Sequence, residues 1–163
     1  DDDRVEIAKP QDWHALPRDS AFLTRFYATT RNGLPRIEVT VEPRTFGDVT
    51  NVTPTNVEQF VSLVSTELGD LKLIERVIPL QIGENACARY VGRVELKLSA
   101  GQTIDAERQR ILVLRAGRLY TIDLLVLPNT LRQSRDAAYA VCASLRFAST
   151  EDGSPAAGLS LPE

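Results

Sequence analysis

The apolar and polar positions from Arg108 to Leu127 predict a β-hairpin. Two runs rich in β-branched and aromatic residues lie on either side of Ala116 and Gly117, and such runs are typical of strands. Gly117 supplies the positive φ that a two-residue hairpin turn usually needs. A turn of this length places Arg110 directly opposite Asp123.

This opposition predicts a structural ion pair. Asp123 interrupts the apolar run from Ile122 to Val126, where an unpaired carboxylate would be costly to bury. An opposed charge pair in a sheet instead contributes roughly 0.2 to 1 kcal/mol. A catalytic Asp123 in a cleft is the alternative interpretation, and the structural pair with Arg110 is favoured over it.

A second hairpin is predicted nearer the start of the chain. Residues 23–30 and 36–42 lie on either side of a turn, and apolar and polar residues alternate strictly along the second run, which indicates a strand exposed on one face. Residues 43–54 then predict a polar loop, near the length at which loops are usually functional or mobile.

Two amphipathic helices are predicted. Thr55 stands three residues before Glu58, which predicts a capping box at the start of the first helix, and Gly69 predicts its end. The second helix begins at about Leu131. Its apolar stripe is formed by Ala138, Val141, Cys142 and Leu145.

Two further strands are predicted between the first helix and the Arg108–Leu127 hairpin. Residues 71–82 predict a strand with an irregularity at Pro79, and residues 86–98 predict a strand with one dry and one wet face, with Cys87 on the wetter side. The order is strands, helix, four strands, helix. This order predicts an α+β fold, an antiparallel β-sheet covered by two main helices.

Size and composition predict a single domain over residues 1–147, followed by an extended tail over 148–163 that is rich in Ser, Pro, Gly and Ala. No apolar run approaches the ~20 residues that cross a bilayer, so no transmembrane segment is predicted. A net charge of −3 argues against a nucleic-acid partner, which needs clustered cations. A local cationic patch of Arg25, Arg31, Arg36 and Arg44 stays open.

Little in the sequence predicts catalysis. His14 is the single histidine, and no nucleophile elbow, phosphate-binding loop, dinucleotide fingerprint or zinc-protease motif occurs. We therefore predict no cofactor and no metal site. Cys87 and Cys142 lie 55 positions apart without metal-ligand spacing; a disulfide between them requires the end of the second helix to cross the strand that carries Cys87.

Several segments together resemble the PsbP-like superfamily. VEIAKPQDW resembles its opening strand, while GENACARYVGRVEL, RQRILVLRAGRLYTIDLL and AVCASLRF resemble its later strands, hairpin and closing helix. The resemblance spans roughly Val5 to Phe147. It implies an α/β/α sandwich, used by members as photosystem II subunits, Ran-binding proteins, and exported bacterial proteins or lipoproteins of unclear role.

These observations predict a non-catalytic binding or accessory domain that recognises a protein partner through one face of its sheet or through the 43–54 loop. The expected location is extracytoplasmic, in the periplasm or cell envelope after removal of a signal, although a trimmed cytoplasmic protein would also start at Asp1. The alternative is a small anionic-ligand binder or enzyme with an arginine-lined site between sheet and helix. The arginines expected there are Arg25, Arg36, Arg108 and Arg110.

Overall fold

The computed structural model describes residues 5–16, 18, 22–28, 33–98 and 100–147. The predicted 148–163 tail, and Arg31 of the predicted cationic patch, lie outside these residues. In chain order the elements are β1 (Val5–Glu6), β2 (His14–Leu16), β3 (Thr24–Tyr27), β4 (Arg36–Pro43), α1 (Val57–Leu68), β5 (Leu73–Ile82), β6 (Asn85–Lys97), β7 (Thr103–Arg115), β8 (Arg118–Val126), α2 (Leu131–Ser144) and β9 (Arg146–Phe147).

The described strands form an antiparallel sheet of seven strands in the order β2-β3-β4-β8-β7-β6-β5, and β1 pairs separately with β9. The run from β5 to β8 is a meander in which each strand pairs with the next. The β2–β4 segment then joins it where β4 pairs with β8. The predicted α+β fold with an antiparallel sheet and two main helices is confirmed.

The two helices cover the sheet from opposite sides. Alternate residues of each strand point to opposite faces, so the core divides into two clusters. The α2 cluster lies beneath α2 and includes Ile37, Ile111, Ile122 and Leu124, whose side chains are fully buried. The α1 cluster is smaller and centres on Phe60, which packs edge-on against Phe46.

The β7–β8 turn has the predicted two-residue length. Ala116 and Gly117 both have positive φ, 50° and 71°, as a type I′ hairpin turn requires. The register then pairs Arg115 with Arg118 and continues to Arg110 and Asp123. The turn geometry and the alternation along both strands therefore agree.

Two local predictions in the first half are wrong. Helix α1 starts after Asn56 rather than at a Thr55 capping box, and it has no side-chain cap hydrogen bond. The Asn56 side chain instead accepts a hydrogen bond from the Thr53 backbone N–H (2.8 Å). The irregularity in β5 lies between Leu73 and Ile78, not at Pro79, because β5 is an edge strand, where a proline need not break the ladder.

The prediction of one wet face on β6 is wrong for its first half. Every residue from Asn85 to Val91 is buried, because helices lie on both sides of the sheet. Arg89 is only 4% exposed. It is satisfied in part by Gln109 (Nε to Oε1, 2.8 Å) and by an ion pair with Glu75 (2.5 Å).

Candidate functional site

The four arginines proposed from the sequence lie on the α1 side of the sheet in two adjacent cross-strand rows. The register aligns Arg25, Glu38, Asp123 and Arg110 across β3, β4, β8 and β7. The next row aligns Arg36, Leu125 and Arg108 across β4, β8 and β7. We call the six ionisable residues of these rows the charged face: Arg25, Arg36, Glu38, Arg108, Arg110 and Asp123.

The first row carries its charges in the order plus, minus, minus, plus. Arg110 binds Asp123 through two hydrogen bonds, Nε to Oδ1 at 2.7 Å and Nη2 to Oδ2 at 3.0 Å. Arg25 donates from Nε to Glu38 Oε2 at 2.8 Å. Like charges directly opposite each other in a sheet are destabilising, so the outer arginines offset the repulsion between the two inner carboxylates.

Burial and pairing act in opposite directions on these guanidinium groups. Desolvation by itself disfavours the charged form of Arg110, but the hydrogen bonds and charge of Asp123 outweigh it, so the pKa of Arg110 is raised. The pKa of Arg25 is raised in the same way, through hydrogen bonds to Tyr27 and Glu38. Both groups are held in the charged state, and both are already occupied by partners.

Arg36 and Arg108 differ from the other two arginines. Within the residues that the structure describes, the side chain of neither forms an ion pair or a hydrogen bond, and Nε of Arg36 is buried without an acceptor. Both side chains are partly exposed. Their strands are separated only by β8, so their backbones lie about 10 Å apart. The charged face therefore presents two uncompensated positive charges side by side.

A cleft lies between α1 and the sheet, next to the charged face. It has a volume of about 410 Å³, and its lining includes the sheet residues Thr40, Tyr90, Arg110 and Thr121. Arg44 and Glu67 form an ion pair at the cleft and also line it. From the sequence, Arg44 is predicted only in a surface patch and the two threonines are not predicted at all. They come together because Thr40 and Thr121 are cross-strand partners.

Arg44 does not join the arginines of the charged face. It lies beyond the other end of β4, where its guanidinium stacks on the ring of Phe46 at 4.5 Å and pairs with Glu67 and Glu42. The predicted patch of Arg25, Arg36 and Arg44 is therefore divided between two places along the strand. Arg25 and Arg36 remain together, because they lie on paired strands.

The loop after β4 is held against the β7–β8 turn. The backbone N–H of Gly117 donates to the Thr50 carbonyl oxygen (2.9 Å), and that of Ala116 donates to Asn51 Oδ1 (2.6 Å). Phe46 and Val49 of the loop are buried in the core. The apolar side chains of Phe46 and Val49 and these two hydrogen bonds thus fasten the loop to the domain, although most of its other residues are exposed.

Within the part of the chain that the structure describes, the ionisable groups do not gather into a familiar catalytic or metal-binding set. His14 is exposed on β2, and Asp123 accepts two hydrogen bonds from Arg110. Among residues 5–16, 18, 22–28, 33–98 and 100–147, no group of three His, Cys, Asp or Glu side chains could hold a metal ion. In the same residues, neither helix has the length and apolar character needed to cross a bilayer.

Comparison with known proteins gives a likeness of fold. No protein-family model matches the chain, and no curated protein matches it by sequence. Among solved structures, a protein of Bacteroides thetaiotaomicron VPI-5482 matches at TM-score 0.54 and 12% identity, over 88% of this chain and 44% of the other. The chain thus spans less than half of that protein.

Two further structures are similar over most of both chains. LpqN of Mycobacterium tuberculosis, which is involved in cell envelope biogenesis, matches at TM-score 0.55 and 14% identity, over 90% of this chain and 86% of LpqN. PsbP of Synechocystis sp. PCC 6803 matches at TM-score 0.46 and 17% identity, over 88% and 86%. At 12% and 14% sequence identity, the matches to the Bacteroides thetaiotaomicron protein and to LpqN show a likeness of fold alone.

Proposed function

We propose that this chain is a non-catalytic, extracytoplasmic accessory domain that binds an acidic segment of a protein partner on its charged face. One observation carries the proposal: among the described residues, Arg36 and Arg108 lie side by side without a carboxylate partner, on a face where Arg25 and Arg110 are each paired. Both side chains are partly exposed, and no described carboxylate occupies their donors. A partner that supplies carboxylates can therefore form charge-assisted hydrogen bonds with both.

The geometry suits an extended acidic segment. Residues at alternate positions of an extended chain point to the same side and lie about 7 Å apart. Two flexible arginines on backbones about 10 Å apart can each reach one such carboxylate. The paired first row, with equal numbers of positive and negative charges, would lie beside the segment and favour one orientation of it.

The extracytoplasmic location is supported by the fold alone. LpqN, with which this chain shares its fold, is a protein of cell envelope biogenesis. One fold hosts many unrelated functions, so the location is tested separately, by fractionating cells that express the full-length precursor. Recovery of the protein in the cytoplasmic fraction would contradict it.

Binding is tested with a charge-reversal pair. We expect the Arg36→Glu/Arg108→Glu variant to lose a partner that the unchanged protein recovers from detergent-solubilised envelope, by at least tenfold in quantitative mass spectrometry. The matched control is Arg93→Glu/Arg132→Glu, which makes the same change in net charge at two exposed arginines elsewhere and should retain the partner. Equal recovery by both variants would contradict the proposal.

A direct measurement uses a synthetic probe. We expect a peptide with glutamate at alternate positions to bind the unchanged protein more tightly than its lysine counterpart, with an affinity that falls as salt is raised, because exposed charges are screened. The Arg36→Glu/Arg108→Glu variant should reverse this preference. A preference that survives in that variant would place the contact elsewhere.

The second candidate function is small-ligand binding in the cleft beside α1. Its volume of about 410 Å³ is within the range of ligand sites, and Arg110 and Arg44 supply positive charge. Both are neutralised by Asp123 and Glu67, which weakens the argument for an anion. A thermal-shift series with inorganic phosphate and small dicarboxylates tests it: stabilisation that Thr121→Val removes would favour this function over the first.

A further inference from the structure

The end of α2 crosses the start of β6, where the two cysteines of the chain meet. Asn85 lies two residues before Cys87 on the same face of β6, and its side-chain Nδ2 donates to the carbonyl oxygen of Cys142 (3.0 Å). At the turn before β6, an added Cβ on Gly83 would lie only 3.2 Å from Cα of Ala143. The helix end therefore lies close against this part of the sheet.

The two thiols face each other in this contact. Cys87 and Cys142 are both fully buried and free, and both belong to the buried cluster beneath α2. Cys87 Sγ also lies 3.5 Å from the carbonyl oxygen of Leu80, its cross-strand neighbour. A disulfide requires the end of α2 to cross the strand that carries Cys87. The structure meets this requirement.

We propose that Cys87 and Cys142 form an intramolecular disulfide that joins α2 to β6 when the chain folds in an oxidising compartment. The two S–H bonds break and one S–S bond forms. The two electrons and two protons pass to an external disulfide, small or protein-borne, which is reduced to two thiols. This inference rests on the proposed extracytoplasmic location, because cytosolic thiols stay reduced.

The bridge must form during folding rather than after it. In the folded protein, the hydrogen bond with Cys87 and burial both raise the pKa of the Cys142 thiol, so its reactive thiolate is scarce. Burial also excludes an oxidant from both sulfurs. Once formed, the same burial protects the disulfide from reductants.

Hydrogen bonds hold the C-terminal end of helix α2. Asn85 Nδ2 donates to the carbonyl oxygen of Cys142, and Arg146 Nη1 donates to that of Ala143. At the other end, the N-cap residue Thr130 makes no side-chain cap hydrogen bond. A covalent bond at Cys142 would reinforce the end of the helix that already lies against β6.

The test counts thiols in the protein exported to the periplasm of a bacterial host. After unfolding without reductant in the presence of an alkylating reagent, intact-mass spectrometry should show neither cysteine alkylated, and prior reduction should make both reactive. Alkylation of both cysteines in the unreduced sample would overturn the inference. The Cys87→Ser and Cys142→Ser variants should each show one reactive thiol.

A second arm separates the chemistry from the location. Reduced protein is unfolded and refolded in a mixture of reduced and oxidised glutathione, and we expect the internal disulfide to form in preference to mixed disulfides with glutathione. Alkylation of the folded reduced protein should be at least 100-fold slower than that of the unfolded chain. Mixed disulfides or free thiols as the main product would overturn the inference.

Neither arm depends on partner binding. The Cys87→Ala/Cys142→Ala variant, which keeps the site apolar, should still bind the acidic-segment probe, so loss of the disulfide and loss of the charged-face function are told apart. If single serine variants fail to fold, this double variant supplies the thiol-free reference.

Discussion

The two faces of the sheet are built from the same strands and differ in what they do. On the α2 side, β4, β7 and β8 contribute Ile37, Ile111 and Ile122, all fully buried. On the α1 side, the residues next to them along each strand are charged or polar except Leu112, and they belong to the charged face or line the cleft. Period-two alternation thus places a buried apolar face and the charged face on opposite sides of the same strands.

The difference predicts that substitutions on the two faces have opposite consequences. Changes on the α2 side should cost stability, whatever their effect on binding. Changes at Arg36 and Arg108 should abolish binding at almost no cost in stability. The predictions below test this contrast in order of expected effect on the free energy of unfolding.

The largest expected effect comes from reducing the proposed disulfide on the α2 side. Opening a 55-residue loop between Cys87 and Cys142 should lower the free energy of unfolding by about 4 kcal/mol in the chain-entropy model. Urea unfolding of the oxidised protein with and without reductant measures the change. A change that also appears in the Cys87→Ala/Cys142→Ala variant would show that reductant acts elsewhere.

The second prediction compares the stability cost of substituting two neighbouring residues on β8 whose side chains point to opposite faces of the sheet. Ile122→Ala removes a fully buried side chain from the α2 cluster and should lower the free energy of unfolding by about 3 kcal/mol. Thr121→Ala changes the α1 side next to it and should cost less than about 1 kcal/mol. Equal costs in urea unfolding would contradict the division between faces.

A smaller effect is expected within the first row of the charged face. Asp123→Ala leaves Arg110 half-buried without its bidentate partner, and we expect a loss of about 2 kcal/mol. Replacing both residues, as Arg110→Met/Asp123→Leu, should recover most of that loss because no charge is left unpaired. A double-mutant cycle measures the coupling; additive losses would contradict the structural pairing.

The smallest change in stability should accompany the largest change in binding. Arg36→Glu/Arg108→Glu should shift the free energy of unfolding by less than about 0.5 kcal/mol, as for partly exposed positions without partners, while the affinity for the acidic probe falls by at least tenfold. Isothermal calorimetry and urea unfolding on the same preparation give both values. A destabilised variant would mean that these arginines serve the fold.

The fold was predictable where the signals were local. The Ala116–Gly117 turn determines the register of β7 and β8 by its length, so the opposition of Arg110 and Asp123 could be worked out from spacing. The burial of Arg89 could not, because it depends on Gln109 and Glu75 from neighbouring strands. Sequence spacing predicts an alternating face but not what covers it.

The site was predictable only in part, for the same reason. Four arginines could be named as candidates, but their alignment in rows depends on the pairing of β4 with β8, two strands far apart in the sequence. The Thr40–Thr121 contact in the cleft results from that same pairing. A short sequence motif can also mislead. Thr55 and Glu58 have the spacing of a capping box, yet the N-cap residue of α1 is Asn56.

The junction of β4 with β8 also bears on the order in which the molecule assembles. The β5–β8 meander is made of neighbouring strands and can form early, whereas β4 must wait for a strand that is synthesised some eighty residues later. Arg25, Arg36 and Glu38 reach Arg108, Arg110 and Asp123 only at that last docking step. If the charged face binds as proposed, competence to bind is a late event in folding, and a chain halted as a partial meander would have a core without the proposed recognition surface.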